Sequence, residues 1–311
     1  MNLPAIDQLF CPRVVYPDIG CQERLSRLVG LDNQKERLIK IISLIVNPTG
    51  MKDWAKKYHP NANGLLNMVM GRPPLIVIEG DVGSGKSEIA ETIGDAIARQ
   101  EKIDITLFPL SLSTRGQGRV GEMTQLISAA FDHAIKEAEK FKSYSGKAKG
   151  AIILLVDEAD ALAQSREATQ MHHEDKAGVN AFIRGVDQIK NNRLPMVVIM
   201  CTNRIGSLDP AIKRRAADIL TFGRPSETQR RTLLETSLMQ LGFSAKHISD
   251  IVALTGQTNG RSYGFTFSDI IQRLIPAIIL GAYPNGPIDP RSAVEIARNM
   301  YPTPPFQEGV S

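Results

Sequence analysis

Cysteine is scarce: Cys11, Cys21 and Cys201 are the three in a 311-residue chain. They follow no metal-ligand spacing, and an odd count does not make a disulfide framework, so a reducing compartment is expected. No Lys/Arg block dominates, and a net charge of +4 is too small to argue for nucleic acid by itself. No apolar run reaches membrane-spanning length, because charges or prolines interrupt the longest candidates. The first residues, with Leu3, Pro4 and Asp7, lack the basic start and apolar core of an export signal. Internal repeats and low-complexity tracts are missing too. What remains is an ordinary globular composition, 42% apolar and 23% charged. The length accommodates one large domain and a smaller one. The expectation is a cytoplasmic protein with no membrane partner.

The most informative stretch that is present runs from Pro74 to Ser87, PLIVIEGDVGSGKS. Leu75 to Ile78 is an apolar, β-branched run of strand length. It breaks into the loop Gly80, Asp81, Val82, Gly83, Ser84, Gly85, Lys86, Ser87, which fits G-x-x-x-x-G-K-[ST]. A helical pattern then opens at Lys86, with Ile89, Ala90, Ile93, Ala96 and Ile97 along one face. Glycines let backbone N–H groups turn inward as an anion nest, and the helix N-terminus adds partial positive charge. Lys86 can reach the β/γ-phosphates and the Ser87 hydroxyl can ligate Mg²⁺. Strand, glycine loop and helix in that order predict a nucleoside triphosphate site.

The flanking chain falls into alternating elements. Residues 1–29, with Pro4, Pro12 and Pro17, read as an extended arm. Asn33 to Val46 reads as a helix ended by Pro48-Thr49-Gly50, followed by a short helix over Met51–Tyr58 and a turn-rich HPNANG at 59–64. Strands are expected at Ile103–Leu112, Ala151–Val156, Met196–Thr202 and Asp218–Phe222, and a long helix at Glu122–Tyr144. Strands alternating with helices imply a three-layer parallel α/β sheet. After Gly223-Arg224-Pro225 the pattern is helical only. Ser226 with Gln229 forms a capping box, and Ser244, Thr266 and Asp289-Pro290 mark further helix starts. The expected division is an arm at 1–29, an α/β domain at 30–223 and a small helical lid at 224–311.

The predicted third strand, IILLVDE, ends in two carboxylates. In a parallel sheet, ligands sit at the carboxyl ends of strands, so this end is expected to face the phosphate loop. Asp157 can hold the Mg²⁺ hydration shell and Glu158 can polarise an attacking water. A buried strand ending in Asp-Glu beside such a loop points to hydrolysis rather than binding alone. The next strand, MVVIMCTN, ends in Asn203, whose amide can orient that water. Beyond it, Leu208 to Arg215 reads as a short helix with three consecutive cations, Lys213, Arg214 and Arg215. One of these arginines can neutralise transition-state charge in a neighbouring subunit's site.

Taken in order, GDVGSGKS, IILLVDEAD, TNRIGSLDPAIKRR and a helical lid with GFTFSDI resemble an AAA+ ATPase over about residues 28–300. The resemblance implies a P-loop NTPase core with a helical lid, a homo-hexameric ring binding ATP and Mg²⁺ between subunits, and a central pore. It matches Asn203 to the sensor-1 position and Arg215 or Arg214 to the arginine finger. Leu31, in RLVGLDNQKERL, falls in the segment that lines the adenine pocket.

A narrower resemblance, carried by KAGVNA at 176–181 and DQIK at 187–190, is to the pachytene-checkpoint AAA+ ATPases, which remodel HORMA-domain proteins. A short form of this kind is similar to those accompanying cyclic-oligonucleotide anti-phage defence systems, where dismantling the HORMA signal restrains a nucleotide cyclase. Residues 112–123, LSTRGQGRVGEM, occupy the first pore-loop position, with Arg115, Gln117 and Arg119 in place of the usual aromatic grip. Ser268 stands where relatives carry a sensor-2 arginine, which leaves that role vacant or moved to Arg261 or Arg273. Residues 1–29 are expected to leave no room for the separate recruiting domain of larger relatives. His172, His173, Glu174 and Asp175 read as a polar loop, where a second pore loop would fall, rather than a metal site. Trp54 and Tyr58 read as a local helix pair. Two other roles stay open: a DNA-associated AAA+ module (helicase or transposition loader), and a rubisco-activase-like remodeller. The balanced charge and the lack of an appended DNA-binding helix pair weigh against nucleic acid.

Overall fold

The computed structural model describes residues 10, 12–111, 122–143, 147–163, 173–204, 208–258 and 261–306. The chain forms two compact units: residues 1–26, 33–79 and 87–221 in one, and 27–32, 80–86 and 222–311 in the other. In chain order the elements up to the last strand are β1 (Val14–Tyr16), α1 (Ile19–Ser26), α2 (Asp32–Val46), α3 (Pro48–Tyr58), α4 (Asn63–Met70), β2 (Leu75–Gly80), α5 (Lys86–Glu101), β3 (Asp104–Ser111), α6 (Glu122–Glu139), β4 (Gly150–Asp157), α7 (Asp160–Ala163), α8 (His173–Asn191), β5 (Met196–Thr202), α9 (Pro210–Lys213) and β6 (Asp218–Phe222).

The first unit is built on a six-stranded sheet of order β1-β3-β4-β5-β2-β6. Strands β3, β4, β5 and β2 pair in parallel. Their continuous apolar runs follow from burial on both faces, as a parallel sheet demands. Alternate residues Val77, Phe108, Leu154, Val156, Val198 and Met200 form one core with Ala130, Phe131 and Ala134 of α6 and Val179, Phe182 and Val186 of α8. Helices α6 and α8 approach closely because Gly185 leaves space for the Phe131 ring, which an added Cβ would overlap.

Within the expected arm, Val14–Tyr16 form a strand and Ile19–Ser26 a helix. Val14, Val15 and Tyr16 pair antiparallel with Leu107, Thr106 and Ile105 of β3, making the sheet mixed at that edge. Tyr16 is fully buried, and its hydroxyl donates to the Glu91 carbonyl. Asp18 then accepts the Cys21 N–H at 2.8 Å and starts α1. Pro48 begins a helix rather than only ending one, because a proline at the first helical position has no donor to lose. The turn-rich segment gives way to α4 at Asn63, and α6 stops at Glu139, five residues before the expected Tyr144.

The second unit carries α10 (Glu227–Leu238), α11 (Ala245–Thr255), a π-helical turn (Asp269–Leu274), α12 (Ile275–Ala282) and α13 (Pro290–Asn299). The Ser226/Gln229 capping box forms in full, with Gln229 N–H donating to Ser226 Oγ at 3.2 Å and Ser226 N–H to Gln229 Oε1 at 2.8 Å. Ser244 and Asp289 cap α11 and α13. Thr266 Oγ1 accepts the Asp269 N–H at 3.0 Å, so the expected start there forms as a π turn. The Asp269 carboxylate is buried yet receives the Thr266 N–H, the Thr303 N–H and hydroxyl, and the Arg273 guanidinium. Burial pushes its carboxyl up, but these hydrogen bonds outweigh it and hold it below the usual carboxylate range. Among the described residues, no helix is long and apolar enough to cross a membrane.

Candidate nucleotide site

The phosphate loop continues from β2, whose Glu79 pairs with Thr202 of β5, and runs straight into α5. Gly83 and Gly85 take left-handed backbone, φ 72° and 94°, which an L side chain would resist. A Cβ on Gly83 would stand 2.8 Å from Thr266 Oγ1, and one on Gly80 would overlap the Phe222 carbonyl. The loop is therefore a close-fitted cradle within the second unit. Lys86 is buried, and its ammonium donates to the Gly80 and Asp81 carbonyls at 3.0 and 2.7 Å. Ser84 Oγ is buried without a hydrogen-bond partner. Gly85 lies against Leu31, which is itself buried. A glycine cradle, a lysine at its end and an orphaned hydroxyl inside it fit a polyphosphate.

The carboxylates form a second group, within the first unit. β4 ends at Asp157, whose Oδ1 accepts the Glu158 N–H at 2.9 Å. Glu158 is exposed and holds φ 51°, a left-handed conformation uncommon outside glycine. Strained backbone of this kind persists only where its surroundings enforce it. Here Ala159 N–H is pinned to the Cys201 carbonyl at 2.9 Å. Asp160 then grips the end of β5. It accepts from Thr202 Oγ1 at 2.7 Å, Asn203 N–H at 2.7 Å and Asn203 Nδ2 at 3.3 Å. The structure thus brings Asp157, Glu158 and Asn203 to neighbouring strand ends, with Asp160 setting the asparagine. Asp160 escaped the sequence reading, although the third acid of VDEAD was its signal.

The two candidate fingers are placed differently. Helix α9 stops at Lys213, Arg214 is its exposed C-cap, and Arg215 follows. Arg215 forms a two-pronged pair with Asp187 of α8 at 2.8 and 2.9 Å, which keeps it more firmly protonated than usual. The candidate sensor-2 arginines are both engaged. Arg261 donates to the Leu254 and Gly256 carbonyls, and Arg273 to Asp269. Arg115, Gln117, Arg119 and His172 lie outside the described residues, while His173, Glu174 and Asp175 begin α8 instead of forming a loop. Also missed by the sequence reading was Arg224, which pairs with the loop's Asp81 at 2.7 Å. An acid inside a phosphate loop was the signal that a cation must answer it.

A parallel sheet with a glycine cradle and strand-end carboxylates defines a P-loop ATPase fold, and comparison gives the class. The AAA family, the ATPase family associated with various cellular activities, matches residues 76–224, and this chain belongs to it. Within that class it is 61% identical to CD-NTase-associated protein 6 of Escherichia coli strain MS 115-1, over 98% of this chain and 99% of that protein. Among solved structures, a chain of the E. coli MS115-1 HORMA:CdnC:Trip13 complex matches with TM-score 0.90 at 60% identity, over 98% of this chain and 99% of that chain. Rhizobiales Trip13 matches with TM-score 0.76 at 52% identity, over 96% and 100%. The narrower resemblance to checkpoint-type ATPases is borne out by these matches.

Proposed function

We propose that this chain is an ATP-hydrolysing remodeller that dismantles a HORMA-domain protein's complex in a nucleotidyltransferase-linked anti-phage system. The observation that carries this is the 61% identity, over 98% of this chain, to CD-NTase-associated protein 6, together with the match to a chain solved with HORMA and CdnC. In this reading ATP is the substrate, and a bound Mg²⁺ would supply charge neutralisation at its phosphates. The amides of Gly80, Asp81, Val82, Gly83, Ser84 and Gly85 cradle the phosphates, Lys86 contacts them, and Leu31 packs at the base. Ser87 and Asp157 would hold the metal, Glu158 would take the proton of the attacking water and Asn203 would orient it. Arg214 or Arg215 serves a neighbour's site in a homo-hexamer. Arg115, Gln117 and Arg119 engage the protein substrate in the pore by charge and hydrogen bonds.

The test separates binding from turnover. Glu158→Gln should bind ATP as tightly as the parent while hydrolysis falls by about 10²–10⁴-fold, the range for a lost general base. With ATP it should retain the HORMA-domain protein on a column. Lys86→Ala should lose nucleotide binding itself. Normal turnover by Glu158→Gln would remove that residue from its role.

A further inference from the structure

An acid inside a phosphate loop is electrostatically adverse, because its carboxylate repels the ligand that the loop exists to hold. Asp81 is such an acid, and it is buried. Its Oδ2 receives the Arg224 Nε–H at 2.7 Å, and the two side chains are 11% and 14% exposed. Its Oδ1 accepts the Val82 N–H at 2.8 Å and the Phe306 N–H at 3.3 Å. Arg224 divides its other donors between the Thr303 carbonyl at 2.7 Å and the Gly264 carbonyl, and its guanidinium lies over the Tyr263 ring at 4.9 Å. Thr303 is anchored in turn through its N–H and hydroxyl to the Asp269 carboxylate. Ser268 N–H donates to the Gly83 carbonyl at 3.1 Å. One arginine therefore joins the loop, the segment before the π turn and the C-terminal strap at 301–306. All these groups belong to the second unit.

We propose that Arg224 is a positioning residue for the nucleotide: with Thr303 and Phe306 of the strap it neutralises Asp81 and holds the phosphate loop in its anion-accepting form. The proposal rests on the nucleotide reading above. It makes the strap part of the binding apparatus, although the strap carries no phosphate-binding motif. Removing Arg224 leaves a buried carboxylate uncompensated beside the phosphates. Removing Asp81's charge as well removes the repulsion.

The experiment measures equilibrium binding of a fluorescent ATP analogue, with kcat and KM for ATP, in full-length parent, Arg224→Ala, Arg224→Lys, Asp81→Asn and the Arg224→Ala/Asp81→Asn double variant. Binding by the parent tests the nucleotide reading, and the variants test this one. Arg224→Ala should weaken binding about tenfold or more and raise KM with kcat changed less than about threefold; the double variant should return to within about threefold of the parent. Arg224→Lys keeps a charge but not the fork, and should weaken binding by a smaller factor. If Arg224→Ala does not fold, Arg224→Lys with and without Asp81→Asn carries the same comparison, with weakening and then recovery expected. Unchanged affinity in the Arg224 variants, or equal loss with and without the Asp81 charge, overturns the proposal.

Discussion

At the scale of single residues, the motif residues and the residues that hold them were not equally legible. Lys86, Asp157, Glu158 and Asn203 stand at motif spacings whose chemistry can be argued from residue type alone. Asp160 and Arg224 act across 42 and 143 residues of sequence, on Thr202 and Asp81, so only the fold shows their partners. The φ of 51° at Glu158 is equally invisible in a string of letters. Asp160 yields a prediction. Three hydrogen bonds from Thr202 and Asn203 end on it. Asp160→Ala should keep nucleotide affinity and lower kcat by up to about 10²-fold, the scale on which misplacing an orienting group acts. Parallel loss of binding and turnover would mean that Asp160 supports the fold instead.

At the scale of elements, β2 to β5 were readable because each is a buried apolar run bounded by turns, and α10, α11 and α13 because their caps are written in Ser226, Ser244 and Asp289. Strand β1 was not, since Val-Val-Tyr between two prolines becomes a strand only through the free edge that β3 offers. The π turn was hidden for a related reason: Asp269 is stabilised by Thr303, 34 residues on. That buried carboxylate sets a pH dependence. Its folded pKa lies below the ordinary value of about 3.9, so its contribution is fully present above that pH and is lost as pH falls through the folded value. Denaturant midpoints followed from neutral pH down to acid should therefore decline below about pH 4, and Asp269→Asn should remove part of that decline. Parallel profiles for the parent and Asp269→Asn would show that the carboxylate contributes nothing.

At the scale of the whole molecule, the proposed ring shares each site between two subunits. Arg214 is exposed, whereas Arg215 would have to leave Asp187 to serve a neighbour. Of the Arg214→Ala and Arg215→Ala variants, the one that removes the finger should be inactive alone and regain ATPase activity when mixed with Lys86→Ala subunits, because some interfaces then pair an intact loop with an intact arginine. The arginine whose variant is inactive alone and rescued by mixing is the finger. Mixed rings that form and stay inactive would contradict sharing.

If hydrolysis is directed at a HORMA-domain protein, the ATPase rate of the full-length chain will report it. That rate would be taken with the purified HORMA-domain protein of its own system, bound to its nucleotidyltransferase, and separately with DNA. The HORMA complex should raise the rate and the HORMA protein should be released from its enzyme in an ATP-dependent manner, with neither effect in Glu158→Gln. Stimulation by DNA, with the HORMA complex left intact and the rate unmoved by it, would contradict HORMA-directed hydrolysis.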